Sequence, residues 1–326
     1  MNGRPVIFAT APLRGPGLDT LRALGDIVEE SWISATTMKL LNAEQLAERI
    51  AATGATIVIC EADQCQGPVL EAGLIAIAST RGDPTNVDVD GATAKGIPVL
   101  RAPGRNADAV AELTVALLMA VNRHVLRADD DVRTEQVYKD GTIPYQRFRA
   151  WQVAGRTAGL VGLGSVGRAT KWRLEGLGMK VIAHDPFAAD ATHELDDLLG
   201  EADFVSMHAV VAPDTLHMIG AKQFGLMKAD AVFLNTARAA LHDTDALVEA
   251  LQAGTIAGAG LDHFDGEHLP KDHPLIGMSN VVLTPHIGGA TYDTEANHTT
   301  LIANGLAQLL RGETPDNCIN PEVLSQ

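Results

Sequence analysis

The stretch AGLVGLGSVGRAT, residues 158–170, places three glycines, Gly162, Gly164 and Gly167, directly after a short apolar run. Taken alone, the spacing Gly-x-Gly-x-x-Gly is weak evidence, because a chain with 31 glycines can produce it by chance. Its surroundings are more specific. The apolar residues before the glycines predict a buried strand, and the amphipathic run SVGRATKWRLEGLG (165–178) predicts a helix. A strand, a glycine turn and a helix in this order are typical of a dinucleotide-binding turn.

Each glycine has a separate role in such a turn. Gly162 permits the tight bend, Gly164 leaves no Cβ between the backbone and a pyrophosphate, and Gly167 lets the helix pack close to the strand. The helix N-terminus then offers unpaired N–H groups to the phosphates. Asp185 ends the next predicted strand, eighteen residues after Gly167, where a carboxylate accepts from both ribose hydroxyls and repels a 2′-phosphate. We therefore predict binding of NAD rather than NADP; the alternative is a structural glycine turn followed by a surface aspartate.

The composition of the chain narrows the class of protein. Its 326 residues exceed one compact core and predict two domains. The net charge of −16 and the lack of a Lys/Arg run argue against nucleic acid and anionic membranes as partners. No apolar run reaches the roughly 18 residues of a membrane span, and the N-terminal residues lack the apolar core of a signal peptide. We therefore expect a cytoplasmic protein.

The three cysteines, Cys60, Cys65 and Cys318, are an odd number and do not suggest a disulfide framework. Cys60 and Cys65 could form half of a metal site, but no second pair of ligands has matching spacing. No metal site is predicted.

Short apolar runs alternate with helical patterns along the whole chain, which predicts parallel sheets in two α/β domains. The first series of predicted strands is 6–10, 26–30, 56–60, 74–79 and 97–101, and the second is 157–162, 180–185, 204–210, 231–236, 257–262 and 280–285. Helices are predicted at 42–54, 165–178, 192–202 and 243–254, with a final helix at about 289–311. A long apolar helix at 106–128 separates the two series. The polar and aromatic stretch 129–151 has no clear period and is interpreted as an arm or connector.

Three loops of the second series carry reactive side chains just after a strand. Arg238 follows AVFLNT, Asp262 and Glu267 lie at and after the end of AGAGLD, and His286 follows NVVLT. Ligands of parallel sheets bind at the carboxyl ends of the strands, so these loops point to the edge where the dinucleotide is predicted. Arginine can hold a carboxylate with two hydrogen bonds, histidine can transfer a proton, and a glutamate beside it can fix its tautomer. Taken singly, each is more often a surface or structural residue.

Taken together, VGLGSVGR, HDPF, NTARAAL, LDHFDGE and TPHIGGAT resemble the D-isomer-specific 2-hydroxyacid dehydrogenases. Their order and spacing match from about residue 74 to the C-terminal helix. The resemblance implies that Arg238 binds the substrate carboxylate, His286 is the acid/base and Glu267 pairs with His286. Asp262 would contact the nicotinamide carboxamide. Further residues with a cofactor-binding role on this resemblance are Ser165, Val166, Thr236, Ala237 and Gly288.

The same resemblance implies the architecture. A flavodoxin-like substrate domain, residues 1–102 and 289–326, would hold an inserted NAD-binding Rossmann domain, residues 103–288, both with doubly wound parallel sheets. The implied reaction is hydride transfer between nicotinamide and C2 of a D-2-hydroxy acid or 2-oxo acid. The helix at 106–128 and the following arm resemble the dimerisation region of the family, which predicts a homodimer; the alternative is a simple interdomain helix.

The substrate loop ASTRGDPTNVD (78–88) departs most from the family, which often has a small glycine-rich run here. Arg81, Gly82 and Asp83 are the candidate substrate-binding residues of this loop. Arg81 could contact a larger substrate, or it could pair structurally with Asp83, Glu61 or Asp63. Other departures, such as Ala239 where the family usually has glycine after the arginine, leave Arg238, Glu267 and His286 in place.

Two other functions stay open from the sequence. A non-catalytic NAD(H)-responsive binding protein on the same fold would bind NADH without turnover. Oxidation of formate or phosphite is less favoured, because the formate branch is associated with Gln at the position of Glu267.

Overall fold

The computed structural model describes residues 3–34 and 40–325. The chain forms two compact units, Met1–Asn106 with Thr291–Gln326, and Ala107–Ala290. The resemblance had placed the inserted domain at 103–288.

The first unit is built on a five-stranded parallel sheet. Its strands are β1 (Val6–Ala9), β2 (Asp26–Glu29), β3 (Ile57–Cys60), β4 (Ala76–Ser79) and β5 (Val99–Leu100), in the order β2-β1-β3-β4-β5. Its helices are α1 (Pro16–Leu24), α2 (Ala43–Thr53), α3 (Val89–Ala94) and a last helix, Tyr292–Leu310. Alternate residues of β3 enter two different cores: Ile57 and Ile59 pack on the side of α1 and the last helix, and Val58 packs on the side of α2. Both faces of the sheet are thus covered, as a parallel sheet requires.

Helix α2 shows how local sequence sets an element's ends. The Asn42 side chain accepts from the backbone N–H of Gln45, 2.9 Å away, and the Gln45 side chain accepts from the N–H of Asn42. The helix ends at Gly54, which has a φ of 68°. This reciprocal cap and left-handed terminus confirm the helix predicted at 42–54.

The second unit contains a six-stranded parallel sheet. Its strands are β6 (Thr157–Val161), β7 (Lys180–His184), β8 (Phe204–Met207), β9 (Val232–Asn235), β10 (Gly258–Leu261) and β11 (Val281–Leu283), in the order β11-β10-β9-β8-β6-β7. Its helices are α4 (Ala107–Asn122), α5 (Val125–Arg133), α6 (Pro144–Arg147), α7 (Ser165–Gly176), α8 (Leu195–Glu201), α9 (Ala221–Leu226), α10 (Thr244–Gln252) and α11 (Pro274–Gly277). From β6 the chain adds β7 on one side of the sheet and then crosses to add β8 on the other side, so the strand order reverses between β6 and β8. Open α/β sheets bind their ligands at such a switch point.

The prediction of one long helix at 106–128 is wrong in length, because α4 ends at Asn122. The helix breaks after Asn122, because His124 adopts a left-handed conformation with a φ of 53°. A second helix, α5, then runs to Arg133, so part of the stretch interpreted as an irregular arm is helical. Within the described residues no single helix is long and apolar enough to cross a membrane, although the bent pair α4 and α5 meets that criterion by length and composition. Residues of α4, including Leu117 and Leu118, lie in the core of this unit.

Candidate active site

The glycine turn after β6 has the shape that the sequence predicts. Gly162 has a φ of 104°, and a Cβ added there would lie 2.5 Å from the backbone of His208. A Cβ on Gly167 would collide with the carbonyl oxygen of Gly162. By contrast, a Cβ added at Gly164 would meet no protein atom within 4 Å. The first and third glycines are therefore required by the fold, whereas the second keeps open a space beside the backbone.

Helix α7 begins at Ser165, and no side chain caps its N-terminus. Gly164 and Ser165 are exposed and Val166 is half-buried, so the first turn of this helix faces the space that Gly164 leaves. An uncapped helix N-terminus beside an open backbone is suited to a pyrophosphate, because N–H groups and the positive end of the helix dipole point at the anion.

Asp185 follows β7 and lies next to the turn. Its Oδ2 accepts from the N–H of Leu163, 2.7 Å away, and its Oδ1 accepts from the N–H of Phe187 at 2.9 Å. Partial burial opposes ionisation, but the backbone donors outweigh it and hold the pKa of Asp185 below its usual range. The carboxylate is therefore ionised at neutral pH, as recognition of ribose hydroxyls requires. Together, the turn, the helix N-terminus and this acid fit NAD.

His286 and Glu267 meet at the ends of β10 and β11. The Nδ1–H of His286 donates to Oε2 of Glu267 across 3.0 Å. Both residues have left-handed backbones, with φ of 53° at His286 and 61° at Glu267. Left-handed conformations are uncommon for residues other than glycine, and they concentrate at sites where geometry serves function. Their side chains are 46% and 58% exposed, so the pair is open to a ligand.

Asp262 holds the loop that carries His286. Its carboxylate accepts from the Thr284 hydroxyl at 2.7 Å and from the N–H groups of Ile287 at 2.9 Å and Gly288 at 2.8 Å. Its carbonyl accepts from the N–H of His286 at 2.9 Å, and the residue is fully buried. In this structure Asp262 is thus a positioning residue, and its predicted contact with nicotinamide stays a prediction.

Replacing Asp262 with Asn tests this positioning role. Asn offers one acceptor and one amide, so its NH₂ would face a backbone donor, and at least one buried N–H would lose its partner. We expect a loss of about 1–3 kcal/mol in the free energy of unfolding, the scale for one unsatisfied buried donor. Chemical denaturation measures it; unchanged stability would contradict the role assigned to this carboxylate.

Arg238 lies just after β9 and is exposed. Asn235 shapes its turn: the side-chain amide donates to the carbonyl of Arg238 at 2.8 Å, and the side-chain oxygen accepts from the N–H of Ala237 at 3.0 Å. The same amide also donates to Nδ1 of His242, 2.9 Å away. The guanidinium bonds only the neighbouring Ala237 carbonyl among the described residues, at 2.6 Å, so most of its donors stay available.

His263 is a neighbour that sequence reasoning passed over. Its ring centroid lies 3.9 Å from that of His286, and the residue is only 4% exposed. Burial, together with the charges of His286 and Arg238, lowers the pKa of His263 to about 4, so this imidazole is neutral. Its position directly after Asp262, at the end of a strand, could have indicated that His263 belongs to the site. The loop that follows contains several other histidines and acids, so the sequence did not single out His263.

The remaining predicted cofactor residues occupy the same edge of the sheet. Thr236 is buried and shares a hydrogen bond of 2.8 Å with the hydroxyl of Thr114, and Ala237 follows it. Gly288 is buried, and a Cβ there would lie 3.0 Å from Oδ2 of Asp262. Their contacts with the cofactor stay predictions.

The substrate loop belongs to the first unit. The N–H of Arg81 donates to the Ser79 hydroxyl at 3.3 Å, and its carbonyl accepts from the N–H of Ala102 at 2.8 Å. Within residues 3–34 and 40–325, the Arg81 guanidinium has no hydrogen bond or salt bridge. Two of the three acids considered as structural partners are engaged elsewhere: Glu61 pairs with Arg105, and Asp63 accepts from Thr10 and Leu41. The third, Asp83, forms no salt bridge with Arg81 among the described residues. This arrangement leaves Arg81 available to a ligand.

Comparison with known proteins identifies the family of this chain. The family described as "D-isomer specific 2-hydroxyacid dehydrogenase, NAD binding domain" matches residues 115–288. A glyoxylate reductase of Thermofilum pendens is 36% identical over 98% of this chain and 96% of its own length. The chain belongs to the D-isomer specific 2-hydroxyacid dehydrogenase family. It is an NAD-dependent enzyme, which confirms the cofactor and the class of activity predicted from the sequence.

Solved structures match this chain over almost its whole length. A protein from Thermus thermophilus is 35% identical, has a TM-score of 0.81 and is matched over 96% of this chain and 99% of its own. A D-isomer specific 2-hydroxyacid dehydrogenase from Lactobacillus delbrueckii ssp. bulgaricus, in its NAD-complexed form, is 27% identical with a TM-score of 0.81, over 97% and 100% of the two chains. The predicted fold of two doubly wound parallel-sheet domains is confirmed.

Asp185→Ser tests cofactor choice in this dehydrogenase. The variant removes the carboxylate that would accept from the ribose and repel a 2′-phosphate, so we expect weaker NADH binding and a narrower gap between NADH and NADPH. Parallel kinetics with both cofactors measure the ratio. Asp190→Ser is a matched control, because Asp190 pairs with Arg168 at 2.7 Å on the exposed surface nearby. Unchanged ratios for Asp185→Ser would remove this residue from the ribose site.

Proposed function

We propose that this enzyme interconverts a small 2-oxo acid and its D-2-hydroxy acid, with His286 as acid/base, Glu267 as its partner and Arg238 as the carboxylate-binding residue. The observation that carries the proposal is the 3.0 Å hydrogen bond between His286 Nδ1 and Glu267 Oε2 in an exposed pair. Arg238 follows β9, the strand beside β10, so it shares the carboxyl edge of the sheet with this pair.

The hydrogen bond divides the two nitrogens of His286 between two tasks. Nδ1 carries the hydrogen that Glu267 accepts, which fixes the tautomer. Nε2 is then free to give a proton to the substrate oxygen during reduction and to take it back during oxidation. Glu267 stabilises the imidazolium form that precedes donation. The loop bonds of Asp262 keep the ring in place while the proton moves.

Arg238 complements this proton transfer. Its planar guanidinium can hold the carboxylate of a 2-oxo acid through two parallel hydrogen bonds. Its positive charge is one of the causes that lower the pKa of His263, whose ring lies 3.9 Å from that of His286. The charge therefore acts within the same site, where it would also stabilise the negative charge that develops on the carbonyl oxygen.

The glycine turn and Asp185 would hold the cofactor at the same edge of the sheet. The open space at Gly164 and the N-terminus of α7 suit the pyrophosphate, and the ionised Asp185 suits the ribose. NAD, when bound, supplies the redox equivalent as a hydride acceptor or, in its reduced form, a hydride donor.

Glyoxylate is the substrate that we test first. It is the smallest 2-oxo acid, and it contains only the carbonyl and carboxylate on which His286 and Arg238 would act. The glyoxylate reductase of Thermofilum pendens aligns with 98% of this chain. A panel of glyoxylate, hydroxypyruvate, 2-oxoglutarate and 3-phosphohydroxypyruvate, followed by NADH consumption, should show turnover with glyoxylate. NADH binding without turnover on any member of the panel would contradict the proposal.

A variant of Arg81 tests whether the enzyme prefers a substrate larger than glyoxylate. Because its guanidinium is unpaired among the described residues, we propose that it binds a distal anion or hydroxyl. Arg81→Ala should leave glyoxylate reduction nearly intact and raise the KM of the larger acid by about 10–100-fold, the effect of losing a charged hydrogen bond. Steady-state kinetics on both substrates measure the split. Equal damage to both would make the loop's role structural.

A homodimer and a cytoplasmic location also stay proposals. The region 125–151 exposes large apolar side chains, among them Val132, Tyr138, Tyr145 and Trp151. Such exposure supports, as the resemblance implies, dimerisation through this region.

A further inference from the structure

We propose that the His263, Glu267 and His286 cluster is a binding site for Zn²⁺, and that the ion inhibits the enzyme reversibly. One ligand atom from each of these residues lies within 4.8 Å of the other two. Two imidazoles and one carboxylate are a ligand set that zinc takes in proteins, with a fourth position left for water.

The pair distance already suits a shared ion. Ligand atoms on a tetrahedral ion with bonds of about 2.0–2.1 Å lie about 3.3 Å apart. Nδ1 of His286 and Oε2 of Glu267 are 3.0 Å apart, so the ion would take the place of the hydrogen that now lies between them. The displaced proton passes to solvent.

His263 turns this pair into a three-ligand site. Its ring lies 3.9 Å from the ring of His286, at an interplanar angle of 52°. Because its nitrogen lies within 4.8 Å of the other ligand atoms, bringing it onto the same ion needs a movement of at most about 1.5 Å, which the exposed side chains of Glu267 and His286 can supply. The buried His263 would form the fixed wall of the site.

The two imidazole ligands favour zinc over magnesium. Imidazole ligands favour Zn²⁺, Cu²⁺ and Ni²⁺, whereas Mg²⁺ prefers oxygen ligands. Arg238 is exposed just after β9, the strand paired with β10, and its positive charge would oppose a second cation at this edge of the sheet. We therefore expect exchangeable binding that depends on added zinc rather than a permanently bound ion.

Inhibition follows if His286 has its proposed catalytic role. A zinc ion on Nδ1 would break the link to Glu267 and prevent the ring from cycling between its two protonation states. This consequence rests on the proposed function, whereas binding itself does not.

The test measures binding and turnover separately on the full chain. Zn²⁺ is titrated against a chromophoric chelator, and Co²⁺ binding is followed by visible absorption, both without NADH or substrate. We expect one exchangeable zinc site per chain. His263→Ala and His263→Phe should weaken it by at least about 10–100-fold, the loss known even for indirect partners of a metal ligand. The Phe variant keeps a ring in the core, so the comparison does not depend on one substitution.

His193 provides the matched control. Its Nε2 lies 3.2 Å from Oε2 of Glu201, but the Lys180 ammonium contacts the same carboxylate. Among the described residues, this pair has no third metal-ligating side chain in range. His193→Ala should leave zinc binding at the His263 site unchanged.

The turnover arm adds Zn²⁺ to glyoxylate reduction by NADH. Inhibition should be reversed by EDTA and absent with the same concentration of Mg²⁺. Binding that is absent, or is unchanged in both His263 variants, would overturn the metal site. Binding that depends on His263 without loss of turnover would contradict the role of His286 and leave the site standing.

Discussion

His286→Ala should lower turnover of every 2-oxo acid by about 10²–10⁴-fold, the usual contribution of a positioned acid/base. The reason is geometric, because Glu267 fixes Nδ1 and leaves Nε2 as the proton donor. NADH binding should change little, since the glycine turn and Asp185 lie on other strands of the sheet. Rapid-reaction kinetics and an NADH binding titration separate the two effects.

His268→Ala is the control for His286→Ala. His268 is exposed and lies next to Glu267 in the chain. Among the described residues, its Nδ1 has one partner, the carbonyl of Gly266, 3.2 Å away. Its loss should leave turnover within a few-fold of the parent enzyme. If His286→Ala retains nearly full turnover, or loses NADH binding to the same degree as turnover, the acid/base assignment fails.

The sheets were predictable because their signals are local. Eleven apolar runs predict eleven strands, and each strand in the structure lies within its predicted run. Parallel strands buried on both faces need nearly continuous apolar residues, as in Ile57–Cys60, and such runs are easy to recognise. The ends of α2 were equally local, since Asn42 and Gly54 carry standard capping chemistry.

The break between α4 and α5 was not predictable in the same way. Apolar spacing continues through residues 106–128, and no Gly or Pro marks the interruption at His124. A non-glycine residue in a left-handed conformation is held by its surroundings rather than by its own preference. The sequence pattern therefore reports that the segment is helical and not where it bends.

The site residues also differ in whether local sequence or tertiary packing determines their position. Arg238, Glu267 and His286 could be proposed because each follows a strand whose carboxyl end is fixed by the parallel sheet. The burial of Asp262 under three hydrogen bonds, and the close approach of the His263 and His286 rings, depend on how the loops after β10 and β11 pack together. No spacing rule in the chain encodes those contacts.

Arg238→Ala should lower kcat for all 2-oxo acids by about 10²–10³-fold, the effect of removing one preorganised donor to a developing oxyanion. The carboxylate beside the carbonyl is common to every substrate, so the loss should not depend on substrate length. KM should rise as well, because the guanidinium contributes to binding before the reaction begins. Initial-rate kinetics across the substrate panel give both parameters.

A folding defect is not expected in this variant, because the Asn235 bonds that shape the turn go to backbone groups of Ala237 and Arg238 and not to the guanidinium. Asn235 donates to the Arg238 carbonyl and accepts from the N–H of Ala237, and both bonds survive in the Ala variant. Thermal stability should therefore match the parent enzyme. Arg238→Lys keeps the charge but not the planar fork, so it should recover only part of the turnover. If Lys restores full turnover, charge alone suffices; if Ala affects only the longer acids, the guanidinium binds the distal end of the substrate and not its shared carboxylate.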